Sequence, residues 1–332
     1  MYNMKLTLDQ ITTIARGVAR VKEADGRICF CRYTKEQNEY YREKGTDWHK
    51  KSYATAGVIL EFDTDSEHLG LKVKISIGSS RRFFVHSIFA NGQRVGELAG
   101  RLEEGESEKL CQGSYFLGEG YKRVKIVFPW SVVSQVCALT IDDGAIIAPV
   151  KKTKKVLLYG DSITQGYDSS RPENSYVSQL VQMLDVDGID KGMGAEVFSP
   201  ELAELKDKFE PHLIFVAYGT NDWSKKSREE FEVNSRGFFQ ALRRNYPNTT
   251  IIALAPVGRV NRDVVKPFGA FEYIAKYFCE LAEEIDRMIV IDCIDFIPCS
   301  QDYYSDHVHP NDKGFEAYAR NLYAELTRRE LD

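Results

Sequence analysis

Residues 155–166 read KVLLYGDSITQG, in which the apolar run Val156–Tyr159 is followed directly by a glycine, an aspartate and a serine. A continuous apolar run of this kind indicates a strand that is buried on both faces, as in a parallel sheet. Similar runs follow at 213–217, 250–254 and 288–291, and helical segments are predicted at 175–184, 201–209, 228–245, 273–286 and 313–328. Because strands alternate with helices, the second half of the chain is predicted to be a three-layer α/β domain.

The first half of the chain has a different pattern, in which short β-branched or aromatic segments lie between turn signals. These segments lie at 55–62, 69–76, 82–89, 123–128 and 136–141, and pairs such as Asn91-Gly92 separate them. Many short strands at regular spacing predict an antiparallel β-sandwich of the jelly-roll kind. The pattern changes after Pro149, so we predict a β-sandwich domain over 1–150 and an α/β domain over 151–332.

Composition excludes several classes of partner. The chain has 332 residues with a net charge of -5, and its lysines and arginines are scattered, so we expect neither a nucleic-acid partner nor binding to an anionic membrane surface. No stretch approaches the ~20 apolar residues of a membrane span. Charged residues such as Asp9 and Arg16 interrupt the N-terminal segment, which therefore lacks the apolar run of a signal peptide, and we expect a cytoplasmic protein.

Polar side chains follow two of the predicted strands and precede the last helix. Ser162 follows the first apolar run, and Asn221 follows the second within the motif Gly-Thr-Asn-Asp at 219–222. Asp306 and His309 come just before the last predicted helix. In open α/β sheets, ligands bind beyond the carboxyl ends of the strands, so these side chains are predicted to share one site.

The chemistry of these residue types is that of acyl transfer. An imidazole with an ordinary pKa of ~6.5, here that of His309, accepts the proton of a serine hydroxyl near neutral pH. Asp306 lies three residues earlier, so its carboxylate can bind the other ring nitrogen within one turn and orient the ring. The Asn221 amide and the backbone N–H of Ser162 are candidate donors to the oxyanion.

Four motifs carry a family resemblance when they are taken in order. They are Gly-Asp-Ser-Ile at 160–163, a glycine-rich turn at 190–195, Gly-Thr-Asn-Asp at 219–222 and Asp-His-Val-His-Pro at 306–310. Over residues 153–330 the chain resembles the SGNH (GDSL-like) hydrolases. The resemblance implies a flavodoxin-like domain that needs no cofactor, with Ser162 as nucleophile, Asp306 and His309 completing the triad, and Asn221 in the oxyanion hole.

The second motif departs from the family pattern. The family reads Asn-x-Gly-x-x-Gly, whereas this chain has DKGMGA at 190–195, so Ala195 stands where the last glycine donates its backbone N–H to the oxyanion. Alanine still has an N–H, which is a donor if the backbone adopts the glycine conformation, and its methyl group can narrow the acyl pocket. Trp223, directly after the asparagine motif, is predicted to line the substrate pocket, with packing in the interior as the alternative.

The arrangement of the whole chain is similar to that of two-domain esterases such as the family two carbohydrate acetyl esterases. This similarity implies a short acyl ester, often acetyl, on a sugar or glycoside, so the expected partner is a small-molecule or saccharide ester. A thioesterase or lipase of longer acyl chains and a glycan-binding protein without turnover stay open. His307 and His309 form a His-x-His pair, but a metal site is disfavoured because the domain has only one other histidine, His212, and no HExxH motif.

Overall fold

A computed structural model describes residues 3–332, which form two compact units. One unit runs up to Lys152 and also includes Arg171–Glu173, and the other comprises Thr153–Ser170 and Asn174–Asp332. Within the described residues, no helix has both the length and the apolar character that a membrane crossing requires.

The first unit is an antiparallel β-sandwich. Its strands are β1 (Asn3–Lys5), β2 (Ala15–Arg16), β3 (Arg20–Ala24), β4 (Arg27–Cys31), β5 (Ile59–Thr64), β6 (His68–Ile77), β7 (Phe83–Ala90), β8 (Gln93–Arg101), β9 (Glu108–Phe116), β10 (Lys122–Val127), β11 (Val132–Asp142) and β12 (Ala148–Pro149). Its helices are α1 (Leu8–Ile14), α2 (Lys35–Lys44) and α3 (Thr46–Lys51). One sheet has the order β3-β4-β11-β6-β9 with β1 beside β11, and the other has the order β12-β5-β10-β7-β8 with β2 beside β5.

The two sheets bury a common apolar core, to which Leu71 of β6 and Phe62 of β5 both contribute. The predicted antiparallel sandwich is therefore confirmed. Strands β8 and β9 were not predicted. Most of their side chains are exposed, and their sequences lack a clear alternation of apolar and polar residues. They are strands because each pairs along its length with a more buried neighbour, β7 or β6.

The second unit contains a parallel sheet. Its strands are β13 (Lys155–Gly160), β14 (Asp187–Gly192), β15 (Leu213–Ala217), β16 (Thr250–Ala255) and β17 (Met288–Asp292). Its helices are α4 (Ser162–Gln165), α5 (Tyr176–Met183), α6 (Pro200–Ala203), α7 (Thr220–Lys225), α8 (Arg228–Asn245), α9 (Tyr273–Glu284) and α10 (Asp312–Arg328), and 3₁₀ turns lie at Pro172–Asn174 and Gln301–Tyr303. The strand order is β14-β13-β15-β16-β17, which is the flavodoxin-like order.

Side chains on the two faces of this sheet pack against different helices. Leu158 of β13 belongs to the apolar cluster that includes residues of α5 and α10. Its neighbour Tyr159 points to the other face, where its ring meets Phe238 of α8 at 5.6 Å. Successive strand residues alternate between faces, so both faces are covered and the predicted three-layer α/β domain is confirmed.

Strand β14 was missed because its sequence, DGIDKG, reads as a polar turn although all six residues are buried. Its Lys191 forms an ion pair with Asp207 at 2.7 Å, with side chains 0% and 1% exposed. The same contact explains an error in the predicted helix 201–209: helix α6 ends at Ala203, and the chain then turns Asp207 toward the sheet. A buried pair between distant residues leaves no periodic trace in the sequence.

Candidate active site

The serine lies at the carboxyl end of β13, at the first position of helix α4. Asp161 caps this helix, because its Oδ1 accepts a hydrogen bond of 2.9 Å from the N–H of Ile163. The carboxyl group is 2% exposed, and burial raises its pKa to about 6 against the opposing effect of the Ile163 N–H and nearby positive charges. This cap holds Ser162 at the sheet edge, with 7% of its surface exposed.

The end of β14 approaches helix α4 very closely. A Cβ atom at Gly192 would lie 2.2 Å from the backbone nitrogen of Gln165, so only glycine fits this position. The approach allows Oε1 of Gln165 to accept a hydrogen bond of 2.8 Å from the N–H of Gly194. The glycine-rich turn is thereby fixed to the helix that carries Ser162.

His309 joins the serine to a carboxylate. Its Nε2 lies 2.9 Å from Oγ of Ser162, and its Nδ1 lies 2.8 Å from Oδ2 of Asp306. The other carboxylate oxygen, Oδ1, accepts hydrogen bonds of 2.7 Å from the N–H groups of Val308 and His309. The structure therefore brings the three predicted triad residues together in one hydrogen-bonded chain.

Asp306 is suited to orient the ring. Its partial burial acts to raise the pKa, but hydrogen bonds from the ring and backbone of His309 outweigh burial, so the pKa of Asp306 lies below its ordinary value. An ionised Asp306 accepts from the ring only if Nδ1 carries the proton, which leaves Nε2 as an acceptor toward Ser162. The hydrogen bonds therefore run in the direction that serine activation requires, with Nε2 free to accept the proton of Ser162.

Two further residues beside the imidazole were missed in the sequence. The Tyr167 ring stacks on the His309 ring with a centroid distance of 5.5 Å, and Oδ2 of Asp168 lies 3.8 Å from Nδ1 of His309. Both follow Ser162 in the turn that ends helix α4, where Gly166 is left-handed. That turn was the available signal, since it directs the next residues back toward the serine. Asp168, Asp306 and His309 also bring potential metal ligands within 4.8 Å, but Nδ1 already bonds Asp306.

The three groups predicted to donate to an oxyanion are the backbone N–H groups of Ser162 and Ala195 and the side-chain amide of Asn221. Within residues 3–332, no hydrogen bond joins the backbone N–H of Ser162 or of Ala195 to an acceptor. Ala195 has a φ of 72°, so it adopts the left-handed conformation that glycine favours and retains its N–H. Asn221 donates one amide hydrogen to the carbonyl of Glu196 at 3.0 Å, which leaves its second amide hydrogen for another acceptor.

Trp223 is buried in the interior. Its side chain is 1% exposed, its Nε1 donates a hydrogen bond of 2.9 Å to the carbonyl of Gly269, and its ring meets that of Phe271 edge-on at 5.3 Å. Helix α7 directs this face inward, where the indole fills apolar space and satisfies its N–H. The prediction of a substrate contact disagrees with this burial, and the alternative of interior packing describes the residue.

Asp222 accepts a hydrogen bond of 3.1 Å at Oδ1 from the N–H of Phe198. It is fully buried, and burial raises its pKa to about 7, with the charges of Asp161 and Glu196 acting in the same direction. The aspartate therefore connects helix α7 to the segment after the glycine-rich turn.

Comparison with known proteins agrees with this architecture. Residues 158–317 match the GDSL-like Lipase/Acylhydrolase family. No curated protein matches the chain in sequence. Among solved structures, a salicylyl-acyltransferase from a tetracycline biosynthetic pathway is 19% identical, with 99% of this chain and 98% of that one covered and a TM-score of 0.85.

Two esterase structures are also similar over nearly the whole chain. An acetyl xylan esterase from the rumen bacterium Butyrivibrio proteoclasticus is 14% identical, with 99% of both chains covered and a TM-score of 0.70. A family two carbohydrate esterase from Cellvibrio japonicus is 17% identical, with 98% of this chain and 97% of that one covered and a TM-score of 0.68. At these identities the likeness shows a shared fold.

Proposed function

We propose that this chain, whose residues 158–317 match the GDSL-like Lipase/Acylhydrolase family, is an SGNH-type ester hydrolase that removes short acyl groups, acetyl above all, from a carbohydrate or glycoside. The observation that carries the proposal is the chain of contacts from Ser162 through His309 to Asp306. The similarity to an acetyl xylan esterase and a carbohydrate esterase supports the choice of a saccharide acetyl ester.

In the first half-reaction, Oγ of Ser162 attacks the ester carbonyl while Nε2 of His309 takes its proton. The carbonyl oxygen becomes an oxyanion, for which the backbone N–H groups of Ser162 and Ala195 and the second Asn221 amide hydrogen are the candidate donors. The intermediate then collapses, the bond to the alcohol oxygen breaks, and His309 returns the proton to that oxygen. The products are the free alcohol and an acyl-Ser162 ester.

In the second half-reaction, a water molecule takes the place of the alcohol. Nε2 of His309 accepts a proton from the water, whose oxygen attacks the acyl carbon, and the same donors bind the oxyanion. Collapse breaks the bond between the acyl carbon and Oγ, and His309 returns the proton to Ser162. Throughout, Asp306 stays ionised and stabilises the imidazolium.

Hydrolysis of 4-nitrophenyl acetate by the purified protein tests the nucleophile. We expect Ser162→Ala to lower kcat by about 10⁴-fold or more, because the acyl-enzyme cannot form. Ser305→Ala is the matched control, since this exposed serine lies in the loop that carries His309 and should leave kcat unchanged. Turnover of Ser162→Ala at the rate of the unaltered protein would refute the assignment.

Two substrate series test the finer part of the proposal. In 4-nitrophenyl esters of increasing acyl length we expect acetyl to be fastest, because Ala195 adds a methyl group beside a proposed oxyanion donor. Acetylated mono- and oligosaccharides should release acetate. Faster hydrolysis of octanoyl than of acetyl esters would instead favour a lipase or thioesterase. Sugar binding without labelling of Ser162 by a fluorophosphonate would favour a glycan-binding protein.

Acyl transfer to an alcohol is a second candidate function, because the similar structure with a TM-score of 0.85 is a salicylyl-acyltransferase. The acyl-Ser162 ester is common to both reactions, and only the second nucleophile differs. Partition of the acetyl group between water and an added glycoside separates them. A transfer product in excess of free acetate at millimolar acceptor would favour the transferase.

A further inference from the structure

Arg259 lies in the loop after β16, at the same sheet edge as Ser162, and is 6% exposed. Its Nε donates to Oδ1 of Asn261 at 2.7 Å, and its Nη1 donates to Oγ of Ser224 at 3.1 Å and the carbonyl of Thr220 at 3.4 Å. These acceptors are all neutral. Within residues 3–332, no carboxylate oxygen lies within 4 Å of this guanidinium, and Nη2 has no hydrogen-bond acceptor.

This cation adjoins both parts of the site. Thr220, whose carbonyl it binds, directly precedes Asn221 in helix α7. The N–H of the next residue, Val260, donates to the carbonyl of His307 in the loop that carries the proposed base. Burial lowers the pKa of Arg259, while the charges of Asp161 and Asp306 raise it, so the guanidinium interacts electrostatically with the carboxylate of the triad.

A second positive charge lies close by. The guanidinium of Arg259 lies 5.0 Å from the Trp223 ring centroid, and Nζ of Lys266 lies 5.5 Å from the same centroid. Buried charges in proteins are normally paired, because leaving water is costly unless an opposite charge and hydrogen bonds compensate. The contacts of Nε and Nη1 leave the two hydrogens of Nη2 as the donors of Arg259 to a carboxylate.

We infer that Arg259 binds an anionic carboxylate of the substrate, so that the preferred ester carries a negative charge on its acyl or its alcohol part. The inference rests on the proposed ester hydrolysis at Ser162 and names the substrate class of that same site. The carboxylate of the bound ester accepts hydrogen bonds from Nη2 of the guanidinium, for which the described residues supply no acceptor.

A competing role is purely structural, since the contacts of Arg259 with Thr220 and Ser224 also hold helix α7 and hence Asn221. The two roles predict different kinetics. A structural role affects all substrates alike, because the oxyanion forms in every reaction. Anion binding affects only the charged substrate. The ratio of kcat/KM for a charged ester and its neutral counterpart therefore separates them.

The experiment uses two pairs of esters with the full-length protein. In the first pair the charge is on the acyl part: mono-4-nitrophenyl glutarate is compared with 4-nitrophenyl methyl glutarate, after spontaneous hydrolysis is subtracted. In the second pair the charge is on the alcohol part: 4-acetoxybenzoate is compared with methyl 4-acetoxybenzoate. We expect a preference of about 10-fold or more for the charged ester in one pair, which identifies the part that carries the charge.

Arg259→Gln should abolish that preference, because kcat/KM for the charged ester should fall further than kcat/KM for the neutral ester. Arg259→Lys keeps the charge and loses the hydrogen bonds of the guanidinium, so it should retain part of the preference. This variant covers the case in which the glutamine variant fails to fold. Arg262→Gln, in the same loop, is the matched control and should keep the full preference.

If Arg259→Gln lowers kcat/KM equally for both esters of a pair, the inference is overturned and Arg259 is a positioning residue. The absence of any preference in the unaltered protein would also overturn it. If 4-nitrophenyl acetate is hydrolysed in a Ser162-dependent way but no charged ester is preferred, only this inference fails. If no ester is hydrolysed at all, the proposed function fails with it.

Discussion

The two sides of the candidate site are held in different ways. On the nucleophile side, Asp161 and Ser162 are 2% and 7% exposed, and Lys191 is buried in the neighbouring strand. On the base side, the Asp306 side chain is 45% exposed, and that of His309 is 18% exposed. The serine is therefore positioned by groups on which folding itself depends, whereas the imidazole is oriented mainly by one surface carboxylate. Substitutions should separate activity from stability accordingly.

The largest effect on activity is expected from Asp306→Asn. The amide oxygen can still accept from Val308 and His309, but the amide nitrogen donates, which favours the wrong ring tautomer of His309. We expect kcat to fall by about 10³- to 10⁴-fold, with an unchanged urea midpoint. Steady-state kinetics and urea unfolding of the same preparation measure both.

Asp302→Asn is the control for this prediction, because Asp302 is an exposed aspartate just before the His309 loop. Asp168→Asn is a second comparison for Asp306→Asn. The Asp168 carboxylate lies 3.8 Å from Nδ1 of His309 and is the weaker partner of the ring, so its loss should lower kcat by about 10-fold or less. A drop in stability as large as the drop in activity for Asp306→Asn would contradict the contrast between the two sides.

Lys191→Met tests the opposite side. Removing the lysine takes away the cationic partner of the buried Asp207 carboxylate, so we expect the free energy of unfolding to fall by about 3–5 kcal/mol. The double variant Lys191→Met with Asp207→Leu removes both charges and should recover most of the loss. Urea unfolding monitored by fluorescence measures both variants. A double variant less stable than the single one would show that the pair itself stabilises the domain.

The stability of the second unit should fall as pH rises from about 4 to about 7. Burial raises the pKa of Asp222 to about 7, so its neutral form is favoured on folding, and this stabilisation is lost as pH rises through the folded-state pKa. Because one pKa unit corresponds to about 1.4 kcal/mol and buried groups relax when charged, we expect a loss of about 2 kcal/mol.

Urea midpoints at pH 5 and pH 8 measure this slope, and Asp222→Asn should flatten it. Asp161, whose pKa is raised to about 6, contributes in the same direction and should leave a residual slope in that variant. Equal slopes for Asp222→Asn and the unaltered protein would exclude Asp222 as the source.

The smallest effect is expected from Ala195→Gly. With a φ of 72°, alanine is strained at this position, and glycine relieves the strain, so we expect a gain of up to about 1 kcal/mol in stability. The N–H is retained, so kcat for 4-nitrophenyl acetate should stay within about 3-fold. Ala241→Gly, in the middle of helix α8, is the control and should destabilise by about 1 kcal/mol or more. A loss of stability in Ala195→Gly would contradict the prediction that Ala195 is strained.

Much of the architecture followed from local pattern. Uninterrupted apolar runs predicted four of the five parallel strands, because a strand covered on both faces must be apolar along its length. The strand β14 escaped this rule, since its Lys191 is buried by an ion pair with Asp207 rather than by apolar contact. Helix α6 was predicted too long for the same reason.

The sequence by itself determined that a serine, an asparagine and an Asp-x-x-His pair stand at strand ends, because strand ends are recognisable wherever apolar runs stop. Only the tertiary structure decided that Trp223 faces inward, that Asp168 approaches His309, and that the buried Arg259 donates to neutral acceptors, with no carboxylate oxygen of the described residues within 4 Å. These properties depend on contacts between residues far apart in the chain, and such contacts leave no period, spacing or motif in the sequence.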